Sequence, residues 1–471
     1  MFHYDPNTAA TSVNGNGICI GCGVCAGLAP RDLVMKFDRE AGYHVDYYEG
    51  GCRSGDALPK SVKECCPFTN SENNEDTLGA RCFGAQDGIE FNDKIGFYLK
   101  CFAGFDNDEE KRLQSTSGGI TTWLLQRLFD ERAIDAAICV VPTGDGDTMF
   151  EYTLVDDKAS MQTARKSRYY PIEMSNVLPE ILSSNKRFAF VGIPCFVKAI
   201  RLAMMEYPAL EERIRYCFSI FCGHMKTPQF ADYLSRACNT HESLISSVDF
   251  RKKTTVPPAW NYAFEAESAS ESKEEKLSII MKDVWGSNWS LSLFMKDACH
   301  WCDDVVGETA DISFGDAWLY PYSDDPNGTN IVICRNAYLL ELLESGYVND
   351  EISLKDLSVE KVIESQAGSF RTRRNGLAYR LSIRDELGLP SLEKRVPPNA
   401  RDISLFYRVV QILRIKLQQV SARVFADTRK KPGNWRFIVR MAPLVILHDV
   451  WYLPARGFRF LDKRLRRLRS K

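Results

Sequence analysis

Three cysteines at successive two-residue gaps, Cys19, Cys22 and Cys25 in the run CIGCGVC, constrain this chain more than any other feature. They stand in the first 80 residues with Cys52, Cys65 and Cys66, in Gly-rich sequence that shows little apolar periodicity. Such a segment can hardly build a core of its own, so a metal is expected to organise it. Three thiolates this close wrap three corners of a cubane cluster, whereas a single tetrahedral zinc is crowded by them. The 4Fe-4S reading is therefore favoured over structural zinc, with free thiols last. In a bacterial two-cluster ferredoxin the fourth cysteine follows three residues later and precedes a proline. Here Ala29 and Pro30 occupy those places, so the fourth ligand is expected elsewhere: Cys66, before Pro67 in ECCPF, with Cys65 and Cys52 in reserve.

At 471 residues the chain is long enough for two or three domains. The polar N-terminus MFHYDPNTAATSVNGNG lacks the basic start and apolar centre of a secretory signal, which points to the cytoplasm. In that reducing compartment 16 cysteines read as metal ligands or redox groups before structural disulfides. No uninterrupted apolar run approaches the roughly 18 residues of a membrane span, so an integral membrane protein is not expected.

The net charge of −2 hides an asymmetry: residues 401–471 carry 18 Lys+Arg against four Asp, leaving −16 on residues 1–400 and +14 on the tail. This suggests a globular body with a basic appendage that meets nucleic acid, anionic lipid, an acidic protein or its own acidic body. The segment Ser404–Val424 is expected to be an amphipathic helix, with Leu405, Val409, Ile412, Leu413, Leu417, Val420 and Val424 near one face and Arg408, Gln411, Gln418 and Arg423 elsewhere. A second apolar face, Leu461, Leu465 and Leu468, is flanked by arginines. A tail packed on the body and a peripheral contact with the inner face of the membrane remain alternatives. No base-reading module is visible, so nucleic acid ranks last.

Between the ends, short apolar runs alternate with helical patterns, the mark of an α/β domain. Helices are expected over Ile120–Phe129, Phe196–Met205 and Gln229–Ala237, and strands over Ala136–Val141, Phe188–Val191 and Tyr216–Phe221. Cys195 and Cys222 then lie just beyond strand carboxyl ends, where open α/β sheets carry ligands. With the CxxC pair Cys299 and Cys302 they make four thiols that can converge; Cys139, Cys217, Cys238 and Cys334 read as small buried hydrophobes. The run STSGGI, Ser115–Ile120, suits a phosphate at a helix N-terminus, although helix capping is the plainer reading. RKSRYYP (165–171) offers cations and rings for a dinucleotide, and 265–276 reads as an exposed loop or hairpin end.

Taken in order, CIGCGVC, CCP, STSGGI, KSRYY, FVGIPCFVKAIR, FCGH, CHWCDDVVGETADISFGDAW and DPNGTNIVICRN resemble the family of coenzyme F420 hydrogenase/dehydrogenase beta subunits, F420 being a deazaflavin cofactor. The resemblance runs from about Cys19 to Arg395 and leaves the tail uncovered. It implies an FAD- and iron–sulfur-dependent oxidoreductase with one or two 4Fe-4S clusters. By the same resemblance Cys19, Cys22, Cys25 and Cys66, then Cys195, Cys222, Cys299 and Cys302, are ligands. It also sets the flavin pyrophosphate near Ser115, Ser117, Gly118 and Gly119, with Ser167 and Tyr169 adjoining. Phe196 stands where many relatives have glutamine after the PC pair. Implied partners are a small-molecule substrate, coenzyme F420 among them, and a ferredoxin-like donor; proteins of this look also occur beside polysaccharide synthesis genes. The alternatives are an electron-transfer component of a larger complex and a zinc-stabilised binding protein. The expected architecture is mixed α/β: a ferredoxin-like Cys-rich segment (1–90), a central flavin and second-cluster domain (91–400) and a basic helical tail (401–471).

Overall fold

The computed structural model describes residues 18–48, 58–70, 72–144, 148–239, 245–270, 273–389 and 392–469. Cys52 lies outside the described residues. The architecture is mixed α/β. Two small hairpins come first, β1–β2 (Leu33–Lys36, His44–Tyr47) and β3–β4 (Glu90–Asn92, Gly96–Tyr98). The central sheet contains β5 (Lys100–Asp106), β6 (Ala136–Pro142), β7 (Phe150–Val155), β8 (Phe188–Gly192) and β9 (Ile214–Ile220). A separate three-stranded sheet is formed by β10 (Ile245–Lys252), β11 (Ala263–Ser270) and β12 (Lys273–Ile280). Three more strands, β13 (Ile312–Asp316), β14 (Asn330–Cys334) and β15 (Ile352–Asp356), complete the central sheet in the order β15-β5-β14-β13-β9-β8-β6-β7.

Its middle strands β13, β9, β8 and β6 run parallel, and both flanks are antiparallel. Parallel strands covered on both faces read as continuous apolar runs rather than alternating ones, which is why Phe188, Ala189 and Phe190 are all fully buried. One face is covered by the helices Ile120–Asp130 and Ala337–Val348 through Trp123, Leu124, Leu128, Leu339 and Leu343. The other is covered by Pro194–Glu206 and Gln229–Ala237. The helix at Pro194 starts two residues before the sequence expectation, because proline suits the first helical position and already has the required φ. Within the charged stretch 265–276 the described residues are strand, β11 paired antiparallel with β12, so the hairpin alternative holds and the loop alternative does not.

The C-terminal segment takes the alternative in which the tail packs on the body. The helix Leu405–Thr428 is no loose appendage. Its buried side is Tyr407, Val410, Leu413, Leu417, Ser421 and Phe425, while Leu405 is 65% exposed. Gln411 and Gln418, which periodicity assigns to the polar side, are buried because each has a partner: Gln411 Oε1 accepts from Arg380, and Gln418 Nε2 donates to Met295 O and Asp297 Oδ1. The helix Trp435–Arg469 follows and stacks Phe437 on Phe294, with ring centroids 5.4 Å apart. Its stretch Trp435–Ala455 is, among the described residues, long and apolar enough to cross a bilayer, at a mean hydropathy of 1.3. A search for uninterrupted apolar runs passes over it because Arg440 and Asp449 interrupt it.

Candidate functional site: two cysteine clusters and an adjoining cavity

The CIGCGVC loop is held open by glycine. Gly23, at φ +82°, caps the short helix Val24–Leu28, and a Cβ there would lie 2.3 Å from Glu173 Oε2. Met174 N donates to Cys22 O at 3.0 Å, so residues 173–175 dock this loop on the central domain. Cys19, Cys22, Cys25 and Cys66 line one enclosed cavity. Cys65 also borders it, but its thiol donates to Ser61 O at 3.0 Å.

A second cavity is lined by Cys195, Cys222, Cys299 and Cys302. These come from the first turn after β8, the end of β9 and the 3-10 turn Asp297–Trp301 with its following residue. Burial pushes every one of these thiols upward, Cys222 to about 12 and Cys302 to about 11, and mutual repulsion adds to it. Buried cations oppose this in both sets, Lys296 acting on Cys299 as well as on Cys19. Lys296, held by Ala41 O and Tyr43 O at 2.6 Å each, favours the charged form of Cys19. Arg373, 2% exposed in a π-helical turn, does so for Cys222, Cys299 and Cys302 and donates to the carbonyls of Gly223 (2.6 Å) and Cys299 (3.2 Å). Among the described residues no three His, Cys, Asp or Glu side chains converge on the spacing of a single metal ion. The thiols border cavities instead.

The acidic residues beyond Cys302 shape the loop. Asp304 accepts from the amides of Val306, Gly307 and Glu308. Asp303 and Glu308 pair with Arg395, Asp311 with Arg201, and Asp316 with Arg251.

A third cavity of about 630 Å³ opens at the carboxyl ends of β6, β8, β9 and β13, where parallel strands leave ligand sites. Ser115, Ser117, Gly119, Ser167 and Tyr169 all line it. Ser167 N donates to Thr116 Oγ1 at 2.8 Å, which ties KSRYY to STSGGI. Gly118 is not among the lining residues: a Cβ there would meet Gly104 O at 2.6 Å, so its close approach is to β5. The capping reading of STSGGI is overturned, since no side chain of the run caps the helix. Ser115 Oγ donates to Lys111 O, Ser117 Oγ to Thr329 O, and Asn330 Oδ1 accepts from Ile120 N. Phe196 packs its ring on Tyr152 at 6.1 Å within the cavity wall.

Sequence reasoning missed several lining groups. Trp289 meets Tyr169 edge to face at 4.9 Å, and Arg251 lies over the Tyr262 ring while paired to Asp316 at 2.6 Å. Lys226 is 1% exposed, its pKa pushed down to about 7 by burial. Nothing local marks Trp289 or Lys226; for Arg251 the triplet RKK was a signal. Arg165, Arg168 and Arg251 each keep a buried Nε without a hydrogen-bond partner, and His224 a buried Nε2. Arginine Nε donors left over beside groups already paired through their other nitrogens, aromatic rings and hydroxyls around one space suit an anionic ligand with a flat ring.

The three cavities lie in series. Ile20 and Phe68 border both cysteine cavities. Ile193, Cys222 and Met225 border both the second cysteine cavity and the large one.

Two family models match, both described as coenzyme F420 hydrogenase/dehydrogenase, beta subunit: the N-terminal one over residues 101–179 and the C-terminal one over residues 185–360. Together they span more than half of the chain. The chain is similar to an uncharacterized protein of Methanocaldococcus jannaschii, 24% identical over 375 residues, covering 74% of this chain and 92% of the relative. It is also similar to the F component of the F(420)H(2) dehydrogenase of Methanosarcina mazei, 23% identical over 322 residues, covering 68% of this chain and 79% of that one. A solved structure of the F420-reducing NiFe hydrogenase complex from Methanosarcina barkeri, studied by xenon derivatization, aligns at a TM-score of 0.49 and 17% identity. That alignment covers 65% of this chain and 98% of that chain.

Proposed function

The chain belongs to the family of coenzyme F420 hydrogenase/dehydrogenase beta subunits, which are redox proteins, and from that premise we propose an iron–sulfur flavoprotein oxidoreductase. In this reading Cys19, Cys22, Cys25 and Cys66 hold one 4Fe-4S cluster, Cys195, Cys222, Cys299 and Cys302 hold a second, and the large cavity holds FAD and a small substrate. The observation that carries it is the serial arrangement of the cavities, with the Cys222 loop as the wall between the second thiol set and the large one. Bound there, clusters supply one-electron steps and a flavin supplies exchange between single electrons and hydride.

The residues fit those groups. Four thiols around an enclosed space suit a cluster better than one ion, and Lys296 and Arg373 supply the positive charge that keeps thiolates tolerable away from water. In the large cavity the turn Ser115–Gly119 with Ser167 is the place for the pyrophosphate, and Tyr169 and Trp289 supply flat surfaces for a ring. Cys222, which lines both cavities, stands at that junction. The substrate shares a chemical class with the deazaflavin in the family's name: an aromatic redox molecule bearing negative charge, attracted by Arg168, Lys226 and Arg251. The name of the Methanosarcina mazei relative, a component of a dehydrogenase, favours a protein partner as the other electron carrier.

Anaerobic purification with assays of iron, zinc, sulfide and released flavin tests this reading. About eight irons and one FAD per chain are expected. Cys299→Ser should remove about half of the iron and leave FAD bound. Zinc in place of iron, or no flavin, refutes the proposal.

A further inference from the structure

The helix Trp435–Arg469 has two unlike sides. One packs on the body: Phe437, Met441, Val445 and His448 are buried, and Phe437 lies within 6 Å of the rings of Tyr233, Phe294 and Phe425. The other is bare and apolar. Trp435, Val439, Ile446, Val450 and Leu453 are each 58–66% exposed, and their spacing of four, seven, four and three residues puts them on one stripe. Single exposed apolar residues are ordinary, but a continuous stripe marks a contact surface. In sequence Leu461 and Leu468 continue the spacing.

Charge selects what covers it. Arg436 and Arg440 flank the stripe, Arg429, Lys430 and Lys431 precede it, and from 456 to 469 the helix carries seven Lys or Arg against Asp462 alone. A second copy paired through this face would set two segments of net +14 together. Nucleic acid would satisfy the charge and leave the stripe in water. An anionic lipid surface satisfies both, since apolar side chains enter below the headgroups while arginines remain among them. We propose that this protein docks on anionic membrane surfaces through the exposed stripe of Trp435–Leu453 and the basic residues around it. The helix lies on the bilayer and does not cross it, because crossing would strip Phe437 and Met441 from the core and carry Arg440 and Asp449 into hydrocarbon. The body, at net −16, is repelled by the same surface, which sets the orientation: tail side down.

The test is flotation of the full-length protein with vesicles of phosphatidylcholine alone or with about a third of phosphatidylglycerol. The expected result is recovery with the anionic vesicles and little with the neutral ones, reduced as salt rises toward about 0.5 M. The double variant Ile446→Glu/Val450→Glu changes two exposed positions and should keep the wild-type melting temperature while losing about tenfold in bound fraction. Failure of the wild type to float with anionic vesicles, or flotation indifferent to the double variant, overturns the proposal. So does retention in the membrane after an alkaline carbonate wash, which would mean a spanning helix. A dimer dispersed by the double variant without flotation would mean that a second copy covers the face.

Discussion

Lys253 sits beside the proposed pyrophosphate turn, its ammonium donating to Arg112 O and to Ser117 O, the latter at 2.7 Å. Burial pushes its pKa down to about 7, and the neighbouring Arg112, Lys166 and Arg251 push the same way. A phosphate nearby favours the charged form, so binding is strongest below that pKa and weakens as the proton leaves. The dissociation constant of ADP, followed by isothermal titration, should therefore rise between about pH 6 and about pH 8.5. In Lys253→Met it should be higher and nearly flat; an unaltered pH profile would rule out this role for Lys253. Arg373 acts on the other side of the wall. Replacing it by Met deprives the carbonyls of Gly223 and Cys299 of a buried charged donor, at about 2–4 kcal/mol of stability. Iron should fall by about half with FAD retained, because only one thiol set loses its cation. Full iron and unchanged urea stability would place Arg373 outside that role. Lys253 shares the RKK triplet that marks Arg251, whereas Arg373 does not stand out: it is one of three arginines in FRTRRN, and only the π-helical turn aims it at the thiols.

The loop that opens the helix Ile120–Asp130 works through backbone geometry. Gly119 holds φ +91° with the Asp106 Cβ and Ser115 Oγ 3.1 and 3.3 Å from where a Cβ would stand. Gly119→Ala should cost about 1–2 kcal/mol from the left-handed backbone and weaken flavin retention, both read from a thermal melt with and without FAD. An equally stable, fully loaded variant would show that the turn tolerates another path. At this scale the strands β6, β8 and β9 and the helices after them were legible in the sequence, because continuous apolar runs followed by helical spacing leave few other solutions. The strands β11 and β12 were half legible. Phe264 and Ala266 alternate with Glu265 and Glu267 as a strand requires, but the charge and serine content of the run reads more readily as a loop.

In the whole molecule the C-terminal helices are part of the core that carries the second thiol set. Tyr233 and Phe294, 2% and 1% exposed, are covered by Phe425 and Phe437 from beyond residue 400. A chain ending at residue 400 uncovers several large side chains worth about 1.5–3 kcal/mol each, comparable with the total stability of an ordinary domain. It should be recovered mainly in the insoluble fraction and lack a cooperative melt. A soluble, cooperatively melting 1–400 chain would show that the tail is dispensable to the body.

What the sequence determined by itself is local chemistry: the thiol spacing of CIGCGVC, the apolar strands, the small residues of STSGGI and the charge carried after residue 400. Each of these depends on neighbours a few positions apart, where spacing and side-chain type suffice. Tertiary structure alone decided which distant groups meet. It brought Cys195, Cys222, Cys299 and Cys302 around one cavity, placed Arg373 against them, set three cavities in series and folded one side of the basic tail into the core. Those meetings depend on which strand ends lie side by side and which helix covers them, and that follows from burying the whole apolar surface at once.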